Sequence, residues 1–398
     1  MKFASAATRE TDAARATQTL IAELEHQLGG GAQRPDLVFF YATPHLVRSM
    51  GAIVAGFMEA WGDTAVIGTT ASGILHPTAS PTNRPKLAAV AGILPGVAVV
   101  PFRMKLDDFE KAPIGLERWQ SLLETVPEPE LIVLHGDPFT TPATEILETL
   151  EMVAPGVDVV GGLASGARQP GGHILTLNDS LHRSGVVGVA LAGDIRADVL
   201  VSQGYRPVGS TFEVTRSEGN VVHELDGVPA LEALEQMVAT LPRKDQALLR
   251  RGLMVGEMIS DDEEEEIGRG NFLIRPVVAL DHEEGAISVA GLLDTGQHIR
   301  FQVWDNTLVD DLQLLILPQL LDRPAAGGLI FGSWPSRGSS RGHGLWAGDV
   351  QNALGYPLPL AGFRTSGELG AIHGINYLHT HTAVLTLLRP RNRVTEPV

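Results

Sequence analysis

The chain has 398 residues, 44% of them apolar and 19% charged, with 44 glycines and 25 prolines, enough for two or three cores and too ordinary for a disordered, coiled-coil or collagen-like chain. Thirty basic residues against 47 acidic ones leave a net charge of -17, which repels a phosphate backbone or an anionic lipid surface, so neither nucleic acid nor membrane is an expected partner. With no cysteine, disulfides, thiolate metal sites and thiol chemistry are excluded.

The N-terminus has acids within its first twelve residues and no apolar run of signal-peptide length. The most apolar stretch, Leu87 to Phe102, is broken by Pro95 and Gly96 and is too short and too strand-like to cross a bilayer. A soluble, cytoplasmic protein is the expectation. The first predicted element is an amphipathic helix over Thr11 to Leu28, with Ala14, Thr17, Leu20, Ile21, Leu24 and Leu28 on one stripe and Gly29 as its stop.

Next comes a pattern that occurs three times. Asp36 to Gly73 reads as strand LVFFYA, Pro44, a helix through LVRSMGAIVAGFMEAW, strand AVIG and the loop GTTASG. Glu130 to Gly166 repeats it as LIVLHG, Asp137-Pro138, ATEILETLEMVA, VDVVG and GGLASG. Gly327 to Gly367 does so more loosely as GLIFG, a Ser/Arg/Gly loop, LWAGDVQNAL, LPLAG and GFRTSG. The units are 38, 37 and 41 residues long, and such internal similarity governs how the whole fold is read.

Each unit closes on G-x-x-x-S-G: Gly68 with Ser72 and Gly73, Gly161 with Ser165 and Gly166, Gly362 with Ser366 and Gly367. Two readings stand. The glycines serve sheet-edge turns, or the right-handed crossovers bring the strand carboxyl ends to one edge, where open α/β sheets bind ligands. On the second reading Ser72, Gly73, Gly162, Ser165, Gly166, Ser366 and Gly367 line a small-molecule site.

Between the units lie expected antiparallel partners: Lys86 to Leu94 with Val97 to Arg103; His173 to Leu177 with Val186 to Leu191 and Asp198 to Val201; and Phe272 to Leu280 with Ala286 to Ala290. A further β segment, Tyr377 to Leu388, ends the chain. The acidic run Asp261 to Glu266 reads as a solvated loop. A helix over Val228 to Ala239 separates two halves, with a boundary near residue 220. The expected fold is α/β: two related lobes, 1–219 and 220–398, of mixed sheet with flanking helices, built from repeated β-α-β units.

GDPFTTPATEILETL, VVGGLASGA, GVVGVAL, SQGYRPVGSTFEVTRSEGNVVHELDGVPALEAL, GNFLIRPVV, GQHIRFQVWD, LAGFRTSGELG and YLHTHTAVL, in that order, resemble the FIST family, whose name stands for F-box and intracellular signal transduction. The resemblance covers nearly the whole chain through both its N-terminal and C-terminal segments. It implies a cytoplasmic sensory or regulatory module proposed to bind small ligands such as amino acids and to act through a signalling protein, here unidentified. No catalytic activity and no cofactor follow from it. No F-box, kinase, cyclase or chemoreceptor segment is read in the chain. Two positions depart from the family pattern: FGSWPSRGSSRGHG has no cysteine, and the family's Arg-Asp becomes Trp304-Asp305.

Several constellations remain open. Arg337 and Arg341, among glycines and serines before a helix, suit a carboxylate or phosphate, or belong to a surface loop. Glu368, directly after the third loop, could hold an amino group while one of those arginines holds a carboxylate, or it forms a structural ion pair or turn. His379 and His381 are read on one strand face, with His373 upstream, either packed or as incomplete metal ligands. His135 and Asp137 could form an acid–base pair, but Asp137 before Pro138 fits a turn or helix start better. Arg275 is read on the strand face opposite Phe272 and Ile274. A nucleophilic role for Ser72, Ser165 or Ser366 needs a histidine within hydrogen-bond reach. The leading expectation is a small-ligand sensor, for an amino acid or small carboxylate. The alternatives are an interaction scaffold or an unrecognised serine hydrolase.

Overall fold

The computed structural model describes residues 1–31, 33–80, 82–126, 128–259, 272–304, 314–321, 324–333 and 347–391. The chain forms two compact units, Met1–Val201 with Leu312–Leu378 and Thr382–Val398, and Ser202–Asp311 with His379–His381. The matched halves expected from the sequence and these units are different divisions of the chain, because the third β-α-β unit joins the first two.

In the first unit each repeat yields one parallel strand pair: Leu37–Ala42 with Ala65–Thr70, Leu131–Gly136 with Asp158–Leu163, and Gly327–Gly332 with Leu360–Arg364. Such strands read as continuous apolar runs because both faces are covered. Alternate residues part to opposite faces. Leu37, Phe39 and Tyr41, Leu131 and Val133, and Leu329 and Phe331 all enter one shared core. The opposite faces take helices. Ala13–Leu28 and Met50–Trp61 cover the first sheet through Leu20, Leu24, Ile53 and Phe57. Leu116–Thr125 and Ala143–Val153 cover the second through Trp119, Leu122, Ile146 and Leu150. Ala347–Leu354 covers the third through Val350 and Leu354. Each large apolar side chain so enclosed contributes up to roughly 1.5–3 kcal/mol.

Antiparallel strands widen each pair, though not always as the sequence suggests. Leu87–Ile93 pairs with Lys2–Thr8 and Leu37–Ala42, whereas Val97–Met104 pairs with Val186–Gly193 in another sheet. The expected hairpin across Pro95-Gly96 is therefore replaced by a crossing between sheets. Leu175–Leu177 likewise joins Ala65–Thr70 and not Val186–Gly193, and Arg196–Ser202 belongs to the third sheet. The opening helix is found from Ala13 to Leu28, with Asp12 accepting the Arg15 N–H as its N-cap and Gly29 in the left-handed region after it.

The second unit holds a sheet whose resolved pairings are all antiparallel, ordered Tyr205–Glu218, His298–Trp304, Met254–Met258, Phe272–Asp281, Ala286–Val289, Val221–Leu225 and Val228–Pro229. The 14-residue strand Tyr205–Glu218 bends at its bulges and also pairs with Val221–Leu225, which closes the sheet on itself. Helix Ala230–Thr240 packs Leu231, Leu234 and Met237 into a core with Val222, Ile287 and Phe301.

Candidate functional site

The three parallel pairs present equivalent residues to the shared core. Tyr41, His135 and Phe331 each occupy the fifth position of their strand, and their rings lie 5.6, 5.9 and 6.5 Å apart, centroid to centroid. Phe363 adds a fourth ring, 5.4 Å from His135 and 5.1 Å from Tyr41. Neither ring nitrogen of His135 nor the Tyr41 hydroxyl has a hydrogen-bond partner among the described residues. Burial accordingly pushes the imidazole down to about 3 and the phenol well up, so both are neutral near pH 7.

Above this layer the loops interlock. Ala71, Ala164 and Thr365 each donate their N–H to the last carbonyl of their own first strand: Ala42, Gly136 and Gly332. The Ser366 N–H donates to Leu163 O at 3.0 Å, and the Ser165 N–H to Thr70 O at 3.4 Å. The remaining side is closed by the Ser165 hydroxyl, which donates to the Arg364 carbonyl, accepts the Ser72 N–H at 2.9 Å and lies 3.1 Å from the Ser72 hydroxyl. The Arg364 N–H returns to Gly73 O at 2.9 Å. The G-x-x-x-S-G loops thus meet in one ring, with Ser72, Gly166 and Ser366 exposed and Ser165, Gly162 and Gly367 buried. Gly162 packs against Thr365 and the Gly367 carbonyl, so it is a close-approach position.

Behind the second loop, His173 Nε2 accepts the Ala167 N–H at 3.1 Å, and its Nδ1 therefore donates to Asp137 Oδ1 at 3.0 Å. The Thr140 hydroxyl donates to the other Asp137 oxygen at 2.7 Å, and Phe139 stacks on the His173 ring. Asp137 also serves the turn, its carbonyl accepting the Thr140 and Thr141 N–H groups. Its histidine partner is thus His173 and not His135. This is a brace for the loop. The Ser165 hydroxyl is engaged by the first and third loops, and His173 Nε2 by a backbone N–H, so Ser165 and His173 do not form a nucleophile–base pair.

Glu368 lies opposite Gly162 in the sheet and is fully buried. The Thr365 hydroxyl donates to one oxygen, while the Thr382 hydroxyl and N–H donate to the other at 3.0 and 3.4 Å. Burial raises its pKa to about 7 against the opposing hydrogen bonds from Ser333, Thr365 and Thr382. It is therefore neither an exposed turn acid nor, in these bonds, an ion-pair partner. Arg337, Arg341 and the acidic run 261–266 lie outside the described residues. Strand Ile375–His379 ends before His381, which sits at φ +60° in the following turn, so the two histidines do not alternate along one strand. Among the described residues no three His, Asp or Glu side chains form a metal-holding group. Arg275 faces Glu257 at 3.5 Å in the second unit.

Sequence reasoning missed a cation within the ring. The Arg364 side chain packs over Gly73, and its guanidinium pKa is lowered first by burial and then by the charge of Arg84. Its position inside the motif G-F-R-T-S-G was the available signal.

These features define an α/β protein built on a threefold β-α-β repeat. The chain belongs to the FIST family: the FIST N domain matches residues 36–228 and the FIST C domain residues 230–371, a family associated with sensory signal transduction. An uncharacterized protein of Mycobacterium tuberculosis is 31% identical over 385 residues, covering 94% of this chain and 96% of its own. Another from Mycobacterium bovis is 36% identical over 267 residues, covering 65% and 67%. Among solved structures, T. maritima PurL complexed with FGAR overlaps 97% of this chain and 72% of its own at 13% identity and a TM-score of 0.20, a likeness that carries no argument. Among the described residues no helix is long and apolar enough to cross a membrane.

Proposed function

We propose that this protein is a cytoplasmic sensory module that binds a small carboxylate or amino acid on the ring of G-x-x-x-S-G loops and relays occupancy to a signalling partner. The observation that carries this reading is the mutual bonding of the three loops through Ser165. A ligand that draws on one loop disturbs the other two, which suits a sensor. Two features support an anionic group: the Arg364 side chain lies over Gly73 of the first loop, with the charge of Arg84 acting on it, and the exposed Ser72 and Ser366 carry hydroxyls at the ring's surface.

Native mass spectrometry of freshly purified protein against its denatured mass tests the reading. A retained small mass bearing a carboxyl group is expected. An empty protein whose melting temperature no amino acid or small carboxylate raises would shift the reading to an interaction scaffold. One observation favours that alternative: Leu314, Leu317 and Leu320 are exposed at three-residue spacing, a pattern that suits contact with another protein.

A further inference from the structure

The strands whose carboxyl ends carry the loops also have amino ends. Beside Leu37–Ala42 and Ala65–Thr70, a cleft of about 480 Å³ opens, within the range of small-molecule sites. Val97, Val99 and Pro101 line one side. They share a face by period two on the outer strand of their sheet; Val97 and Val99 pack at the margin of the shared core, and all three stay half-buried, so part of an apolar strip faces the cleft. Met58 and Trp61, from the last turn of helix Met50–Trp61, line the other.

Three charged side chains complete the lining: Arg34, Asp36 and Asp63. Arg34 lies across Gly62, its Nη1 3.6 Å from where a Cβ would stand, and Gly62 caps the C-terminus of that helix. A guanidinium there answers the negative end of the helix dipole. The Asp36 carboxylate fastens the Leu94 N–H with one oxygen at 2.6 Å. Asp63 is exposed and forms no hydrogen bond or ion pair among the described residues. Arg34 stands at the helix end over Gly62, and two carboxylates beside an apolar strip face the cleft, within a chain of net charge -17 that draws cations towards it.

We propose that this cleft is a second binding site, for an organic cation: a primary ammonium set between Asp36 and Asp63, carried on an apolar body lying along Val97, Val99 and Pro101. The site is independent of the loop ring.

Isothermal titration calorimetry of the full chain tests it with tryptamine and n-pentylamine, beside hexanoate and norleucine as anionic and zwitterionic counterparts. Both amines are expected to bind, hexanoate not at all and norleucine more weakly. Asp63→Asn lowers amine affinity about tenfold, the worth of one charge-assisted hydrogen bond, and Val99→Lys, which puts a cation into the cleft, abolishes binding. Glu148→Gln makes the same change of net charge on the exposed face of helix Ala143–Val153 and leaves affinity unchanged. Absence of amine binding overturns the proposal, as does norleucine or hexanoate binding at least as tightly. Equal losses in Asp63→Asn and Glu148→Gln would reduce the attraction to net charge and overturn it too. Should Val99→Lys fail to fold, the exposed Asp63 substitution still decides.

Discussion

Glu368 and His135 are two buried titratable groups whose burial works in opposite pH directions. Glu368 is raised from 4.5 to about 7, so its contribution to stability is full below pH 4.5 and is lost as pH rises through 7. At about 1.4 kcal/mol per pKa unit the loss is on the order of 3 kcal/mol. Glu368→Gln, neutral throughout, is expected to gain on the wild type by about 2 kcal/mol between pH 5 and pH 8 in urea unfolding, most of that shift. A constant difference across that range would contradict the account. His135, lowered from 6.5 to about 3 by burial, contributes stability that is present above pH 6.5 and lost as pH falls towards 3. Because its nitrogens lack partners, removing them exposes no new orphan. His135→Leu should lie within about 1 kcal/mol of wild type at pH 7 and resist acid better. A loss of about 3 kcal/mol or more would mean that the imidazole makes a bond essential to the core. Neither residue's state was legible in the sequence. His135 and Asp137 could have formed a pair, although the turn reading of Asp137 was the better one: alternation alone would leave residues two apart on one face, and it is the turn after Gly136 that carries Asp137 away. The actual partner, His173, is 36 residues away, and no local spacing encodes that.

At the level of elements, the repeated glycine that opens each loop belongs to sheet packing. Gly68, Gly161 and Gly362 stand in register opposite Phe40, Leu134 and Ile330. A Cβ would fall 1.9 Å from the Leu134 carbonyl oxygen at Gly161, which also has φ +136°, and 1.6 Å from that of Ile330 at Gly362. At Gly68 it would meet the Phe40 ring at 2.3 Å, a side chain that can turn. Gly161→Ala and Gly362→Ala should therefore each cost about 3 kcal/mol or more in urea unfolding, with Gly68→Ala costing less. Equal, small losses at all three would refute the close-approach argument. The glycine that opens each motif thus stands within a strand and not in a sheet-edge turn, and of the three only Gly161 has a positive φ; the loop ends that follow meet at one edge. The three units were readable because helix and strand periods alternate in fixed order. Pairing was not. Leu87–Ile93 and Val97–Met104 are both apolar strands separated by Pro95-Gly96, yet each finds its neighbours elsewhere, since period reveals a strand and not its partner. Lys2–Thr8, KFASAAT, escaped notice because small residues carry little period.

For the molecule as a whole, a chain that reads as two halves places its third β-α-β unit beside the first two, and gives the second compact unit an antiparallel sheet closed by one long strand. The motif G-x-x-x-S-G made the three loops recognisable as equivalents. Their convergence depends on contacts such as Ser165 to Arg364, 199 residues apart, which only the assembled sheets supply. The central claim is that this ring is a ligand site. The most direct measurement is a thermal-shift titration with amino acids and small carboxylates of the wild type and of Arg364→Gln in parallel. A ligand at a hundred times its Kd adds about 2.7 kcal/mol, so one carboxylate class should raise the wild-type melting temperature by a few degrees and leave the variant's nearly unmoved. Equal shifts in both proteins, or none in the wild type, would contradict the account.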